Sequence, residues 1–291
     1  MQKRTLLKLA ALSTLSLAIG GVLTGCGDDK ATNETVVKVG VVGDYNAQWD
    51  EVNRLLAPKH IRVQLVKFTD YATPNRALND GEIDLNAFQH KAYLANDIKQ
   101  NGYKIEAIGD TIIAPLAVFN NKKKIQNLKD LKAGDTIAIP ADLTNGGRAL
   151  KVLESAGIIK LDPAKGYVAN KTDIIENPIG IKIMEAESGL LANILPDVAA
   201  ALINGGNAFT AKLDPTKDSI YVENTDPAVN PIAAKLVNVI VARSKDKDNP
   251  TYKAIVDAYH TKEVAEVIYK SYNGAYKAAW EGAPQNPAAA K

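Results

Sequence analysis

The residues I-D-L-N-A-F-Q-H-K-A-Y, from Ile83 to Tyr93, suggest both an architecture and a purpose. Ile83 and Leu85 alternate with Asp84 and Asn86, the period of a short strand. Phe88, Gln89, His90 and Tyr93 follow at once, and a helix beginning near Ala87 would cluster Phe88, His90 and Tyr93 on its first turns. They would then stand at the carboxyl end of a strand, where ligands bind in open α/β sheets. Two aromatic rings beside an amide and an imidazole suit a small ligand with one apolar and one polar end. The competing reading buries Phe88 and Tyr93 in the core and leaves His90 in solvent. These residues alone do not separate the two.

Upstream, Thr35 to Val42 (T-V-V-K-V-G-V-V) is a β-branched strand, and Gly43 to Asn46 is a turn. Asp50 to Leu56 has helical spacing, with Val52, Leu55 and Leu56 on one face, Trp49 leading in and Pro58 ending it. Ile61 to Phe68 alternates as a half-buried strand, with Ile61, Val63 and Leu65 on one side. Pro74 opens a helix through Leu78, and Asp80-Gly81-Glu82 turns into the opening stretch. Downstream come a helix from Ala92 to Asn101 and strands at Ile105 to Ile108 and Thr111 to Phe119. This alternation predicts a parallel sheet with right-handed crossover helices. Pro115 falls inside Thr111 to Asn120, where a central strand should carry no proline. The chain is therefore read as leaving one domain there and entering another.

In that second part a helical turn is expected at Leu128 to Leu131 and a strand at Asp135 to Pro140. Asp142 to Gly157 (D-L-T-N-G-G-R-A-L-K-V-L-E-S-A-G) is the other informative stretch. Asp142 or Thr144 can cap a helix starting near Asn145 or Gly146, with Leu150, Val152, Leu153 and Ala156 as its apolar face and Gly157 as its stop. Bare N–H groups at such a helix start attract an anion. Arg148, in the first turn, would add a bidentate fork for a carboxylate. The plainer alternative is a capped helix with Arg148 in solvent.

Further on, strands are expected at Asp173 to Asn177, Ile181 to Met184 and Tyr221 to Glu223, and a helix at Leu190 to Leu195. A buried strand from Val198 to Asn204 ends in the polar tip Asn204-Gly205-Gly206-Asn207. Leu236 to Ala242 is strongly β, with Asn238 as its single interior polar residue. That amide must find a hydrogen bond, most plainly in a neighbouring loop. Helices at Pro250 to Tyr259 and Lys262 to Tyr276 precede a Pro/Ala tail, residues 281–291, expected to be disordered.

The chain of 291 residues opens M-Q-K-R-T-L-L-K, runs apolar to Val22 and reaches L-T-G-C at Leu23 to Cys26. A basic start, a short apolar core and small residues before a cleavage point make a secretory signal at 1–25. The run is too short for the roughly 20 apolar residues of a spanning helix. Cys26 is the only cysteine, so no internal disulfide can form, and Leu-x-Gly-Cys matches a bacterial lipobox in which that cysteine is lipidated. Residues 26–34 then read as a flexible tether to a membrane. Loss of 1–25 leaves 32 basic against 33 acidic residues, a net charge of −1. A near-neutral body without a basic cluster argues against nucleic acid.

Reactive chemistry is absent from the pattern. There is no Gly-x-Ser-x-Gly elbow, no Walker loop and no G-x-G-x-x-G. His60, His90 and His260, the three histidines, lack metal-ligand spacing. No cofactor and no metal are expected, and a tethered α/β protein with polar strand ends reads as a binder and not an enzyme.

Asp70 to Leu94 and Pro140 to Leu150 resemble the NlpA-type lipoproteins, the methionine-binding, MetQ-like components of ABC importers. Glu176 to Pro178, Ala200 to Ala208 and Val237 to Arg243 fit the same family in order, so the resemblance runs from about Val36 to Trp280. It implies a type II periplasmic-binding-protein fold: two α/β lobes joined by two crossing strands, with a ligand cleft between. Residues 35–116 and 236–280 would form lobe 1 and 117–235 lobe 2. Tyr71, Phe88, His90 and Tyr93 would then face Asn145, Arg148 and Asn204 from the other lobe, with Asn238 nearby. Arg148 and the helix N-terminus would hold the α-carboxylate of L-methionine. Asn204 and Asn238 would accept from its ammonium, and Tyr71, Phe88 and Tyr93 would wrap the thioether. The resemblance further implies a monomer, held to the outer face of the membrane through Cys26, that docks on an ABC permease and its ATPase. Two segments depart from the family, Gly43 to Trp49 and the long Asn224 to Lys235. They leave open another amino acid or a methionine-containing dipeptide; an adhesion lipoprotein with a vestigial cleft is a separate alternative.

Overall fold

The computed structural model describes residues 34–284. The signal sequence, Cys26, most of the tether and residues 285–291 lie outside the described residues.

Strand β1 (Thr35–Val42) buries Val37, Val39 and Val41 and exposes Lys38. Gly40 answers a close approach, since a Cβ there would stand 2.6 Å from Ile83 Cδ1. Helix α1 (Gln48–Leu56) buries Trp49, Val52 and Leu56, with Asp50 and Glu51 in its first turn and Arg54 in its last, a charge order its dipole favours. Strand β2 (Ile61–Phe68) pairs in parallel with β1 from end to end. Helix α2 (Thr73–Asp80) has Pro74 in its first turn and stops at Gly81, whose φ of 84° suits glycine. After β3 (Leu85–Asn86), α3 (Lys91–Asn101) and β4 (Ile105–Ile113), the chain passes through Ala114 and Pro115 into a second sheet.

That part holds β5 (Leu116–Asn120), β6 (Thr136–Pro140), α4 (Leu143–Ser155), the small pair β7 (Lys160–Leu161) and β8 (Ile174–Glu176), β9 (Lys182–Ala186), α5 (Leu191–Ile194), β10 (Ala200–Asn204), α6 (Gly205–Thr210) and β11 (Ser219–Val222). The chain returns as β12 (Val237–Arg243), then α7 (Pro250–Tyr259), α8 (Lys262–Ser271) and β13 (Lys277–Ala278). The first sheet has the order β13-β4-β12-β3-β1-β2 and the second β11-β5-β10-β6-β9.

Both sheets are mixed, where an all-parallel sheet was expected. β1 runs parallel to β2 and β3, but β12 is antiparallel to β3 and β4, because it re-enters from the second lobe in the opposite direction. In the second sheet β10 is parallel to β6 and antiparallel to β5.

Each sheet is covered on both faces, and alternation along the strands divides the core. Ile240 and Ala242 of β12 pack with Trp49, Ile255 and Ile268, while Val239 and Val241 pack with Leu78 and Leu94 on the opposite face. In the second lobe Leu116 and Val118 face Leu150 and Leu153 of α4, and Ala117 and Phe119 face Leu191 and Ala208. Each such fully buried Val, Leu or Phe contributes about 1.5–3 kcal/mol.

Other boundaries also differ from the sequence reading. Thr111 to Asn120 is two strands in two sheets, so Leu116 sits in the second sheet and not at the end of the first. Helix α8 ends at Ser271, well before Tyr276, because Asn273 and Gly274 adopt φ of 51° and 75°. Residues 281–284 are not a tail: Ala283 is buried in the first-lobe core and its N–H donates to Trp280 O at 3.1 Å. Among the described residues no helix is long and apolar enough to cross a membrane.

Candidate ligand-binding cleft

A cavity open at its mouth lies between the lobes. Tyr71, Phe88, His90, Tyr93 and Asn238 line it from the first lobe, and Asn145, Arg148 and Asn204 from the second. All eight residues singled out in the sequence thus meet at one place. No acidic residue is among the cavity's lining, and among the described residues no cluster could hold a metal ion.

The opening stretch does not become helical at Ala87. Residues 87–89 are in no helix or strand, and α3 begins at Lys91 with the extended His90 as its N-cap. His90 Nδ1 accepts the Tyr93 N–H at 3.0 Å, an imidazole doing what a Ser or Asp usually does. The segment is fixed by interlocked buried amides. Asn75 Nδ2 donates to Gln89 Oε1 at 2.8 Å, and Gln89 Nε2 donates to Asn86 Oδ1 at 3.0 Å. Above them Tyr71, Phe88 and Tyr93 form a three-ring box with centroids 5.9 to 6.0 Å apart. The Tyr93 hydroxyl donates to Tyr71 O at 3.0 Å, and burial pushes both phenols up, so both stay neutral.

His90 also ties the two lobes. With Nδ1 occupied as an acceptor, the proton sits on Nε2, which faces Asn145 Oδ1 at 3.3 Å. Burial, and then the nearby Arg148 charge, push the imidazole down to about 3. Asn145 is oriented in turn, since its Nδ2 donates to Asp142 and its Oδ1 receives Asn204 Nδ2 at 2.8 Å. This chain of donors ends at Asn204 Oδ1, a buried acceptor with no partner. Such an atom costs about 1–3 kcal/mol if left unmade. Asn238 is partly accounted for within the fold, because its Nδ2 donates to Ile112 O at 3.3 Å and its backbone bridges His90.

Arg148 is buried and not solvated. Helix α4 starts at Leu143, earlier than expected, which puts Arg148 in the second turn. The helix N-terminus is not open to an anion either: Asp142 Oδ1 takes the Asn145 N–H at 2.9 Å, so the chain's own carboxylate fills it. The two glycines serve packing. A Cβ on Gly146 would meet Pro140 O at 2.8 Å, and one on Gly147 would collide with Tyr167 O. The Arg148 fork closes on Glu223, with Nε 2.9 and 3.0 Å from its two oxygens, and Nη2 also donates to Ala114 O at 2.7 Å. Among the described residues Nη1 makes no hydrogen bond, and Arg148 lines the cavity.

Several contributors were missed in the sequence. Glu223 stands 75 positions from its partner, and nothing local marks it. Asn207 Nδ2 donates to the Tyr71 hydroxyl at 3.1 Å, a second bond between lobes. Its place in the tip Asn204-Gly205-Gly206-Asn207 was the available signal.

A sequence profile described as NlpA lipoprotein matches residues 37–280. The chain belongs to that family. Its relatives include Outer membrane lipoprotein 3 of Mannheimia haemolytica, 44% identical over 260 residues, 89% of this chain and 94% of the relative. The D-methionine-binding lipoprotein MetQ of Escherichia coli is 39% identical over 279 residues, 94% of this chain and 99% of that one. A crystal structure described as the substrate binding protein of a methionine transporter from Streptococcus pneumoniae superposes with a TM-score of 0.79 at 36% identity, covering 85% of this chain and 96% of that one. The two-lobe α/β fold is therefore that of the NlpA family's substrate-binding proteins, and the chain is a binding lipoprotein, not an enzyme.

Proposed function

We propose that this NlpA lipoprotein captures methionine in the cleft between its lobes and delivers it to an ABC importer. The observation that carries the reading is the unpartnered Asn204 Oδ1 in the same cavity as Arg148 and a three-ring aromatic box. An amino acid supplies the missing parts. Its ammonium donates to Asn204 Oδ1, with Asn238 Oδ1 as a second acceptor. Its carboxylate takes Arg148 Nη1, a charge-assisted bond stronger than a neutral one. A thioether suits the edges of Tyr71, Phe88 and Tyr93. The names of the methionine-binding relatives support the side chain and the transporter role. Lipidation at Cys26, which would hold the protein at the outer face of the membrane, rests on the lipobox.

Isothermal titration with L- and D-methionine, other amino acids and methionine dipeptides tests the ligand. Saturable one-site binding of methionine is expected, weakened tenfold to a hundredfold or more in Arg148→Ala; no heat with methionine refutes the reading. Gln48, Thr111, Tyr259 and Tyr272 line the same cavity beyond the eight residues above, so a methionine-containing dipeptide is the second reading. Tighter dipeptide binding in the same titration would select it. For the anchor, labelled palmitate is expected to enter the wild type and not Cys26→Ala; equal labelling would remove Cys26 as the site.

A further inference from the structure

We propose that Glu223, which no part of the ligand is expected to touch, sets the charge class of ligand the cleft accepts. This rests on the amino-acid reading above. Glu223 is buried, and its two oxygens accept from Arg148 Nε at 2.9 and 3.0 Å, from Arg148 Nη2, and from the Leu116 N–H at 3.0 Å. Donors point at both oxygens, so the group stands there as a carboxylate. It neutralises the single cation of the cavity wall. His90 adds no charge, because its Nδ1 is an acceptor for the Tyr93 N–H. No acid lines the cavity.

Arg148 and Glu223 are therefore neutral in sum, and buried charge is costly unless balanced. A zwitterion keeps the balance. A monoanion would leave one uncompensated negative charge, and a monocation one positive charge. Without Glu223 the sum rises from zero to +1: Arg148 becomes an unpaired cation, which a monoanion neutralises and a zwitterion does not. A purely structural Glu223, one that only holds the guanidinium in place, would affect both ligands alike.

The test is titration of wild type and Glu223→Gln with methionine and with its hydroxy analogue, in which a hydroxyl replaces the ammonium and the net charge is −1. Wild type is expected to prefer methionine, and the preference is expected to narrow at least tenfold in Glu223→Gln. Glu223→Asp, which keeps the charge, is expected to retain the wild-type ratio. If Glu223→Gln is too unstable to titrate, the same two ligands are compared as protectants in thermal unfolding, which reads binding through the shift in Tm. A ratio unchanged between wild type and Glu223→Gln, in either assay, overturns the proposal. Failure of wild type to bind methionine would instead overturn the ligand assignment on which it rests.

Discussion

His90 shows how one residue can tie stability to pH. Its imidazole is held down to about 3 by burial and by Arg148, against an ordinary 6.5. The unfolded chain thus takes up this proton first as pH falls. The stability linked to His90 is fully present above pH 6.5 and is lost progressively between there and about pH 3. From pH 7 to pH 4.5 the loss is on the order of 2–3 kcal/mol. His90→Gln is expected to remove that slope; urea unfolding at the two pH values checks it, and an equal slope in both proteins would contradict it. Asn204 has a different balance. Its Oδ1 is a cost in the empty protein and a contact in the loaded one. Asn204→Ala is expected to weaken methionine tenfold or more with little loss of Tm in the absence of ligand. A large fall in the unliganded Tm would instead make Asn204 a structural residue.

At the scale of elements, the hinge and the site are one assembly. Arg148 Nη2 holds Ala114 O in the first crossing segment, while Glu223, at the start of the second, exchanges hydrogen bonds with Leu116. Helix α4 carries Arg148 into this knot and is itself set by two local features. Asp142 caps it and orients Asn145, so Asp142→Ala is expected to cost about 1 kcal/mol of stability and to weaken methionine as well. Gly147 lies against the Tyr167 and Ala169 carbonyls, so Gly147→Ala is expected to cost about 1–3 kcal/mol by overpacking. Thermal unfolding measures both, and the titration separates them.

How legible an element was depended on how local its cause is. β1 and β2 were read to the residue, because β-branched alternation is contained in each strand. The start of α3 was read to within a residue, at Ala92, but its cap at His90 was not, because an imidazole cap is not among the usual signals. The direction of β12 was hidden because it depends on where the chain has been for over a hundred residues. The candidate site was legible as residue types at strand ends, but the amide train from His90 to Asn204 and the Arg148–Glu223 pair are long-range and were not.

Across the molecule, closure uses more than the cleft. Phe209 of α6 reaches over to the first lobe, its ring centroid 5.7 Å from Tyr45, 5.1 Å from Tyr272 and 5.6 Å from Tyr276. Asn273 Nδ2 donates to Asp214 across the same side at 2.8 Å. Aromatic pairs of this kind contribute about 0.5–1.5 kcal/mol each beyond area burial. Phe209→Ala is therefore expected to shift the unliganded protein toward an open form, seen as a larger radius of gyration in solution scattering that methionine reverses. An unchanged radius would mean that the latch does not hold the lobes. The central claim concerns the cavity itself, and a crystal structure of the protein with methionine tests it most directly. The account predicts the ligand between the lobes, with its carboxylate on Arg148, its ammonium on Asn204 Oδ1 and its thioether among Tyr71, Phe88 and Tyr93. Methionine found elsewhere, or an empty cleft at saturating concentration, would contradict it.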